Sequence, residues 1–243
     1  MSDPAVGRHP VAFTSMRRAI ARRMTESKQQ APHFYESIEI EMDVLVAALA
    51  AHNDGREKER RATVTAALVR ALTAGLQAHP AFNAVWNGDE LEQVDAVNMG
   101  IAVDLPDGLI APALLGCEHM DLDQTAESLR DLVARTRDRK MRAAELSEAT
   151  FTLSNLGTFP IDSFTAIVVP PQVAILATAR AAERPVVRDG AITVRRMMTA
   201  TLSADHRAVD GAAAARFLTD LKSSLEAPAA WLANPPRLAS PDA

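Results

Sequence analysis

The stretch TLSADHRAVDGAAAARFL, residues 201–218, sets an imidazole at His206 and a carboxylate at Asp210, four positions apart and just before Gly211 and an alanine-rich run. Histidine is the side chain best suited to take up and return a proton near neutral pH, since its ordinary pKa is about 6.5. Asp210 has a plainer use as the N-cap of the following helix, where a carboxylate accepts from the free amides of the first turn. Capping explains the aspartate and leaves the histidine without a structural reason. RRMMTATLSAD reads as a strand and Asp210-Gly211 breaks it, so His206 falls at a strand-to-helix junction, from which side chains reach into clefts. A second candidate, Ser154 in FTLSNLG, reads by itself as a strand-end serine that satisfies backbone groups.

The elements that must position these residues can be read from periodicity. TSMRRAIARRMTESKQQAP has a hydroxyl cap at Ser15 and Met16, Ile20 and Met24 spaced by four, which predicts a helix ending before Pro32. HFYESIEIEMD alternates as a half-buried strand. Helices are predicted at 44–52 and 64–78, the latter apolar around most of its circumference and ended by Pro80. Short strands follow in AFNAVW, VNMGIAVD and GLIAPAL, then a charged helix at 122–140 with one apolar face. The last third predicts strands in ATFTLSNLG, FTAIVVPPQVAILATAR and ITVRRMMTATLS, with a turn at Asp189-Gly190 and a helix after Asp210. This order, without strict βαβ alternation, predicts an α/β fold: a two-layer mixed sheet with helices packed on it. Residues 1–13 read as a flexible N-terminal segment, 14–233 as the functional domain and 234–243 as a polar tail.

Composition narrows the function. In 243 residues, 26 basic and 31 acidic side chains are mixed along the chain for a net charge of −5, so no field of one sign recruits nucleic acid or an anionic membrane. The RRAIARR and RDLVARTRDRKMR stretches read as salt-bridging and solvated helix faces. Cys117 is the only cysteine and reads as a small packed side chain, no run of 18 apolar residues occurs, and no apolar leader follows Met1, which together predict a cytoplasmic protein. No two of the six histidines are four apart on a helix, so no metal is expected.

SADHRAVDGAAAARFL resembles the His-x-x-x-Asp-Gly signature of the dihydrolipoamide acyltransferases of 2-oxo acid dehydrogenase complexes and, more distantly, chloramphenicol acetyltransferase. The resemblance extends to MRRAIARRMTESKQQAPHFYESIEIEMD, NMGIAVDLPDGLIAP and FTLSNLGTFPIDSFTAIVVPPQVAILA, in the family's order, over residues 16 to about 232. It implies a chloramphenicol acetyltransferase-like fold that forms trimers and moves an acyl group, here acetyl, between dihydrolipoamide and coenzyme A. His206 then matches the general base, Ser154 the hydroxyl that stabilises the tetrahedral oxyanion, and Asp210 a residue that orients the loop through hydrogen bonds and a salt bridge. The histidine of one subunit is expected to face the serine of the next. Thr63, Asp104 and Asn155 fall where family members line the coenzyme A site, whereas the family's arginine after the first strand is replaced at about Leu49.

Lipoyl and peripheral-subunit-binding domains, which full-length family members carry, have no counterpart here, and none of the four lysines has a lipoylation context. Two readings are open, an excised catalytic domain or a stand-alone acyltransferase served by a lipoyl domain in trans; the resemblance implies a lipoyl group supplied by another domain or chain, with other dehydrogenase-complex subunits as further partners. The tail in AAWLANPPRLASPDA predicts a homotrimer that goes no further toward a hollow particle. Two alternatives are an acetyltransferase of small hydroxylated molecules and a silent trimeric scaffold. The first is disfavoured by Asp205, where a second histidine is usual, and the second by the retention of both His206 and Ser154.

Overall fold

One long strand organises the chain. In the computed structural model, which describes residues 9–232, β11 (Ala191–Asp205) pairs along its second half with β1 (His33–Glu41) on one side and β9 (Ala174–Thr178) on the other, both antiparallel. Its first half pairs with β10 (Ala182–Arg188) through a turn in which Asp189 and Gly190 both adopt positive φ. Beyond β9 the sheet turns parallel, to β8 (Phe151–Asn155) and β4 (Met99–Ile101), and closes with antiparallel β7 (Ala113–Leu114). The order β1-β11-β9-β8-β4-β7 is the predicted mixed sheet. Two small hairpins lie outside it, β2 (Ala84–Trp86) with β3 (Leu91–Gln93), and β5 (Val103–Leu105) with β6 (Gly108–Ile110).

Register makes the two faces of the sheet unlike. Ile38 and Ile40 stand opposite Ala200 and Met198, and the same face continues through Leu176, Leu153 and Ile101, a mainly apolar surface. α3 (Val64–Ala78) and α6 (Gly211–Glu226) cover it, and Phe217 of α6 stacks on Phe82 at 4.8 Å in the middle of this core. The opposite face carries Ser37, Thr201, Ala177 and Ser154 in one row across four strands. In the next row are Tyr35, Ser203, Ile175 and Thr152. A polar, small-residue face and an apolar face follow from the two-residue period of strands once the register is fixed.

The remaining helices are α1 (Ser15–Gln30), α2 (Asp43–His52), α4 (Leu122–Arg137) and the short α5 (Ala143–Ser147). Several boundaries differ from the sequence reading. Thr14, not Ser15, caps α1, its hydroxyl accepting from the Arg17 amide at 3.1 Å. α4 stops at Arg137, where the chain turns through Arg139 at positive φ. Of FTAIVVPPQVAILATAR only Ala174–Thr178 is strand, because Pro170 and Pro171 cannot donate to a ladder. β10 and α5 were not foreseen. The 122–140 region is more than a solvated face, since Arg135 grips Glu145, only 4% exposed, through two hydrogen bonds of 2.6 and 2.7 Å. The N-terminal segment is described only from His9, and the tail at 234–243 lies outside the described residues.

Candidate active site

His206 follows β11 directly. Its amide donates to the Pro32 carbonyl at 3.0 Å, and its ring rests against Phe34 with centroids 4.8 Å apart, at the margin of the helix-covered face. The residues on either side of it make the local ion pair. Asp205, 2% exposed, accepts from the Arg207 guanidinium at 2.6 Å and from the Arg207 amide at 3.0 Å, while Arg207 also lies over Trp86 at 4.7 Å. The turn is thus pinned from both sides of the histidine. His33, His52 and His79 each have a ring nitrogen in a hydrogen bond, and His119 faces Glu118 at 3.3 Å. The exposed imidazole of His206, by contrast, has no hydrogen-bond partner among the described residues.

Asp210 caps α6 as read, accepting from the Ala213 amide at 2.8 Å. The salt bridge expected of it is not formed among the described residues. Its charged neighbour is another carboxylate, Glu36, whose pKa is raised first by burial and then by the charge of Asp210. A Cβ on Gly211 would come within 2.9 Å of Glu36 Oε1, so a larger residue there would push the Glu36 carboxylate aside. The ion pair that steadies the loop belongs to Asp205 and Arg207, whose partnership the D-H-R sequence could have suggested.

Ser154 is only 8% exposed, and it opens onto a cavity of about 490 Å3 on the polar face of the sheet. The walls are mainly apolar, with Met16, Ile20 and Met24 from α1 and Ile175 from β9 among them. Its hydroxyl makes no hydrogen bond within the described residues, which removes the backbone-satisfying role the sequence allowed. His206 and Ser154 do not meet within a chain. Asp205 aligns with Val173 and Ser154 with Ala177. That is four residues along β9 and two strands across, about 13 Å by about 10 Å, on opposite faces of the sheet.

The three residues assigned to coenzyme A fall into two groups. Thr63 caps α3, accepting from Ala66 at 3.2 Å, and Asn155 donates to Thr65 at 3.0 Å, so the end of β8 and the start of α3 are tied together. Asn155 also accepts from Gly157, so its amide is in structural use at both ends. Asp104 is exposed on β5. Leu49 is buried in the core at 5% exposure, so a phosphate contact from that position of α2 is not open to this chain. Cys117 is packed as expected, and burial pushes its thiol pKa up to about 12. Among the described residues no cluster of side chains fits a metal ion.

Sheet, helices and an unpartnered imidazole at a strand-to-helix junction define a two-layer α/β protein of the chloramphenicol acetyltransferase fold. A chloramphenicol acetyltransferase shares that fold at a TM-score of 0.55 and 16% identity, over 84% of this chain and 94% of the other. The model of the 2-oxoacid dehydrogenases acyltransferase (catalytic domain) family matches residues 7–233, and the chain belongs to that family. It is 40% identical over 222 residues to the mitochondrial dihydrolipoyllysine-residue acetyltransferase component of the pyruvate dehydrogenase complex of Schizosaccharomyces pombe, covering 89% of this chain and 45% of the relative. The chain spans about half the length of the curated relatives it matches. The structure of the cubic core of a pyruvate dehydrogenase multienzyme complex matches at a TM-score of 0.87 and 31% identity, over 94% of this chain and 95% of that one.

The dihydrolipoamide acetyltransferase of Azotobacter vinelandii matches at a TM-score of 0.89 and 32% identity, again over 94% of this chain and 95% of that one. That structure belongs to crystallographic and enzymatic work on the role of a serine, a histidine and an asparagine in its catalytic mechanism. Its serine and histidine are 52 positions apart and its asparagine four further on, the spacing of Ser154, His206 and Asp210 here.

Proposed function

We propose that this chain transfers an acyl group, acetyl in the first instance, between dihydrolipoamide and coenzyme A, at sites where His206 of one subunit meets Ser154 of a neighbour in a homotrimer. The observation that carries the proposal is the pair of uncommitted groups: the imidazole of His206 and the hydroxyl of Ser154 have no partner among the described residues and cannot reach one another within one chain. The 52-residue spacing shared with the Azotobacter enzyme supports the assignment, and the cubic-core neighbour supports a symmetric assembly.

In this reading His206 removes the proton from the attacking thiol. The resulting thiolate adds to the thioester carbonyl carbon, and the Ser154 hydroxyl donates to the oxyanion of the tetrahedral intermediate. Collapse expels the other sulfur as a thiolate, which regains the proton from His206. A free thiol with a pKa of about 8.5 is mostly protonated at neutral pH, so a placed base contributes on the order of 10²–10⁴ in rate. Asp210 holds the start of α6, and Asp205 with Arg207 holds the turn. Thr63, Asp104 and Asn155 are the proposed lining of the coenzyme A end, and the lipoyl group arrives on another domain or chain. A cytoplasmic location belongs to the same proposal; no helix among the described residues is long and apolar enough to cross a membrane.

The test is thioester formation from acetyl-coenzyme A and dihydrolipoamide by the wild-type protein and by His206→Ala. The expected loss is at least a hundredfold, and equal rates would refute the assignment.

A further inference from the structure

Residues 164–173 join β8 to β9 and belong to no strand, yet they form one wall of the cavity in front of Ser154, through Ala166, Ile167 and Val169. The same segment turns Val168 and Pro170 toward a second groove of about 470 Å3, which reaches Asp205 and Arg207 on either side of His206. This wall, with a cleft on each flank, is held in part by polar anchors, among them Arg23 donating to the Pro170 carbonyl at 2.5 Å and the Trp86 amide to the Pro171 carbonyl at 2.7 Å. Val168, at the centre, supplies two. Its carbonyl accepts from the Ser27 hydroxyl at 2.6 Å, and its amide donates to His33 Nε2 at 3.0 Å. Ser27 is fully buried near the end of α1, and His33 is the first residue of β1.

The tautomer of His33 follows from its partners. An amide N–H can only donate, so Nε2 carries no proton. Nδ1 lies 2.8 Å from the Ala31 carbonyl, which can only accept, so Nδ1 carries it. The clasp on Val168 exists only with neutral imidazole, because an imidazolium would turn a second proton toward the Val168 amide.

We infer that His33, together with Ser27, is a positioning residue for the reaction: the neutral imidazole clasps Val168 and keeps the wall of the Ser154 cavity shaped for substrate, and protonation of His33 releases that wall. The inference rests on reading that cavity as the acyl-transfer site. The charged and titratable groups around His33 come from three elements. Asp205, directly opposite in register on β11, is held by Arg207 at 2.6 Å. Lys28 of α1 donates to the Tyr35 hydroxyl at 2.6 Å, Glu26 stands exposed at the groove, and the Tyr35 ring lies 6.1 Å from that of His33. The 164–173 segment itself contributes no charged side chain. Of these groups, His33 alone changes what it offers the Val168 amide when it takes a proton.

The test compares the assembled wild-type protein with His33→Gln, His33→Phe and Ser27→Ala, using amide hydrogen–deuterium exchange of the 164–173 peptide and steady-state kinetics across pH. Glutamine can accept through Oε1 and does not titrate. In the wild type, exchange in this peptide, corrected for the intrinsic rate, should rise about tenfold on acidification, the size of effect expected from losing one buried hydrogen bond. His33→Gln should abolish the rise, and His33→Phe and Ser27→Ala should show about tenfold faster exchange at every pH. At neutral pH, KM for dihydrolipoamide in His33→Phe and Ser27→Ala should rise with exchange while kcat stays within about twofold of wild type. Flat wild-type exchange, or His33→Phe with unchanged exchange and KM, overturns the inference. Exchange reports the clasp without any turnover, so the full exchange pattern in a protein that transfers no acyl group would overturn the proposed activity and leave the clasp standing.

Discussion

Placement of His206 and Ser154 on opposite faces of one sheet makes two inactive variants complementary. His206→Ala keeps Ser154 intact, and Ser154→Ala keeps His206. Loss of a general base costs about 10²–10⁴ in rate and loss of an oxyanion donor about 10²–10³, so each pure variant should run at about 1% of wild type or below. Within a chain the two residues are about 13 Å apart along the strands and about 10 Å across them, so no movement short of unfolding the sheet unites them. In a ring of three, each site instead takes its histidine from one chain and its serine from the next. When the variants are unfolded together in equal amounts and refolded, random mixing leaves about one site in four with both groups intact. The refolded mixture should therefore show about a quarter of wild-type acetyl transfer per subunit, at least tenfold above either parent. Wild type refolded with the double variant should also retain about a quarter, where sites contained in single chains would retain about a half. Native mass spectrometry would verify the mixed assemblies. Mixed trimers with only the averaged activity of the parents would refute the shared site.

Two further predictions concern carboxylates whose pKa values are shifted in opposite directions. Glu145 is held by Arg135, and that hydrogen-bonded pairing keeps its pKa below the usual carboxylate range. Glu145→Gln should cost about 2 kcal/mol at neutral pH, less than a fully buried pair because Arg135 is 22% exposed and keeps Asp131. A depressed pKa gives stability that is present above the unfolded value and is lost as pH falls through the folded one, so the gap between wild type and variant should close in acid. Chemical denaturation at neutral and acid pH measures it, and a pH-independent gap would contradict the ion-pair origin. Glu36 has the opposite sign: burial and then Asp210 raise its pKa, so its ionised form burdens the folded state at neutral pH. Glu36→Gln should raise the melting temperature at pH 7, and the gain should vanish below the ordinary carboxylate range; a variant less stable at pH 7 would contradict this.

Much of this arrangement was legible in the sequence where short-range chemistry decides it. The bounds of α3 at 64–78 follow from an apolar run between a capping threonine and a proline, and the Asp189-Gly190 turn from its own dipeptide. β10 was not legible, because AERPVVR reads as a polar loop. It is a strand because it forms an antiparallel ladder with β11 through the Asp189-Gly190 turn, with Arg184 and Arg188 reaching Glu39 and Glu41 of β1, about 145 residues away. FTAIVVPP misled in the reverse direction. Its β-branched residues suggest a strand, yet it is anchored by the Arg23, Ser27 and His33 side chains more than 130 positions earlier.

The proposed functional pair shows the same division. Residue type and the His-x-x-x-Asp-Gly spacing pointed to His206, and the family resemblance to Ser154, but the face each occupies depends on register between distant strands, which no local pattern encodes. Partner counting completes the argument. Buried hydroxyls such as Thr73, Thr136, Thr150 and Thr152 are each satisfied inside the chain, and Thr178 and Ser203 are sealed in the sheet with their hydroxyls unpaired. Ser154 differs from both groups because its unpaired hydroxyl opens onto a cavity, and His206 differs from His33, His52 and His79 because its ring is exposed and unbonded. A polar group held in place by its neighbours and left without a partner is available to a molecule outside its own chain. In the proposed site, two such groups stand on opposite faces of one sheet and a second subunit brings them together.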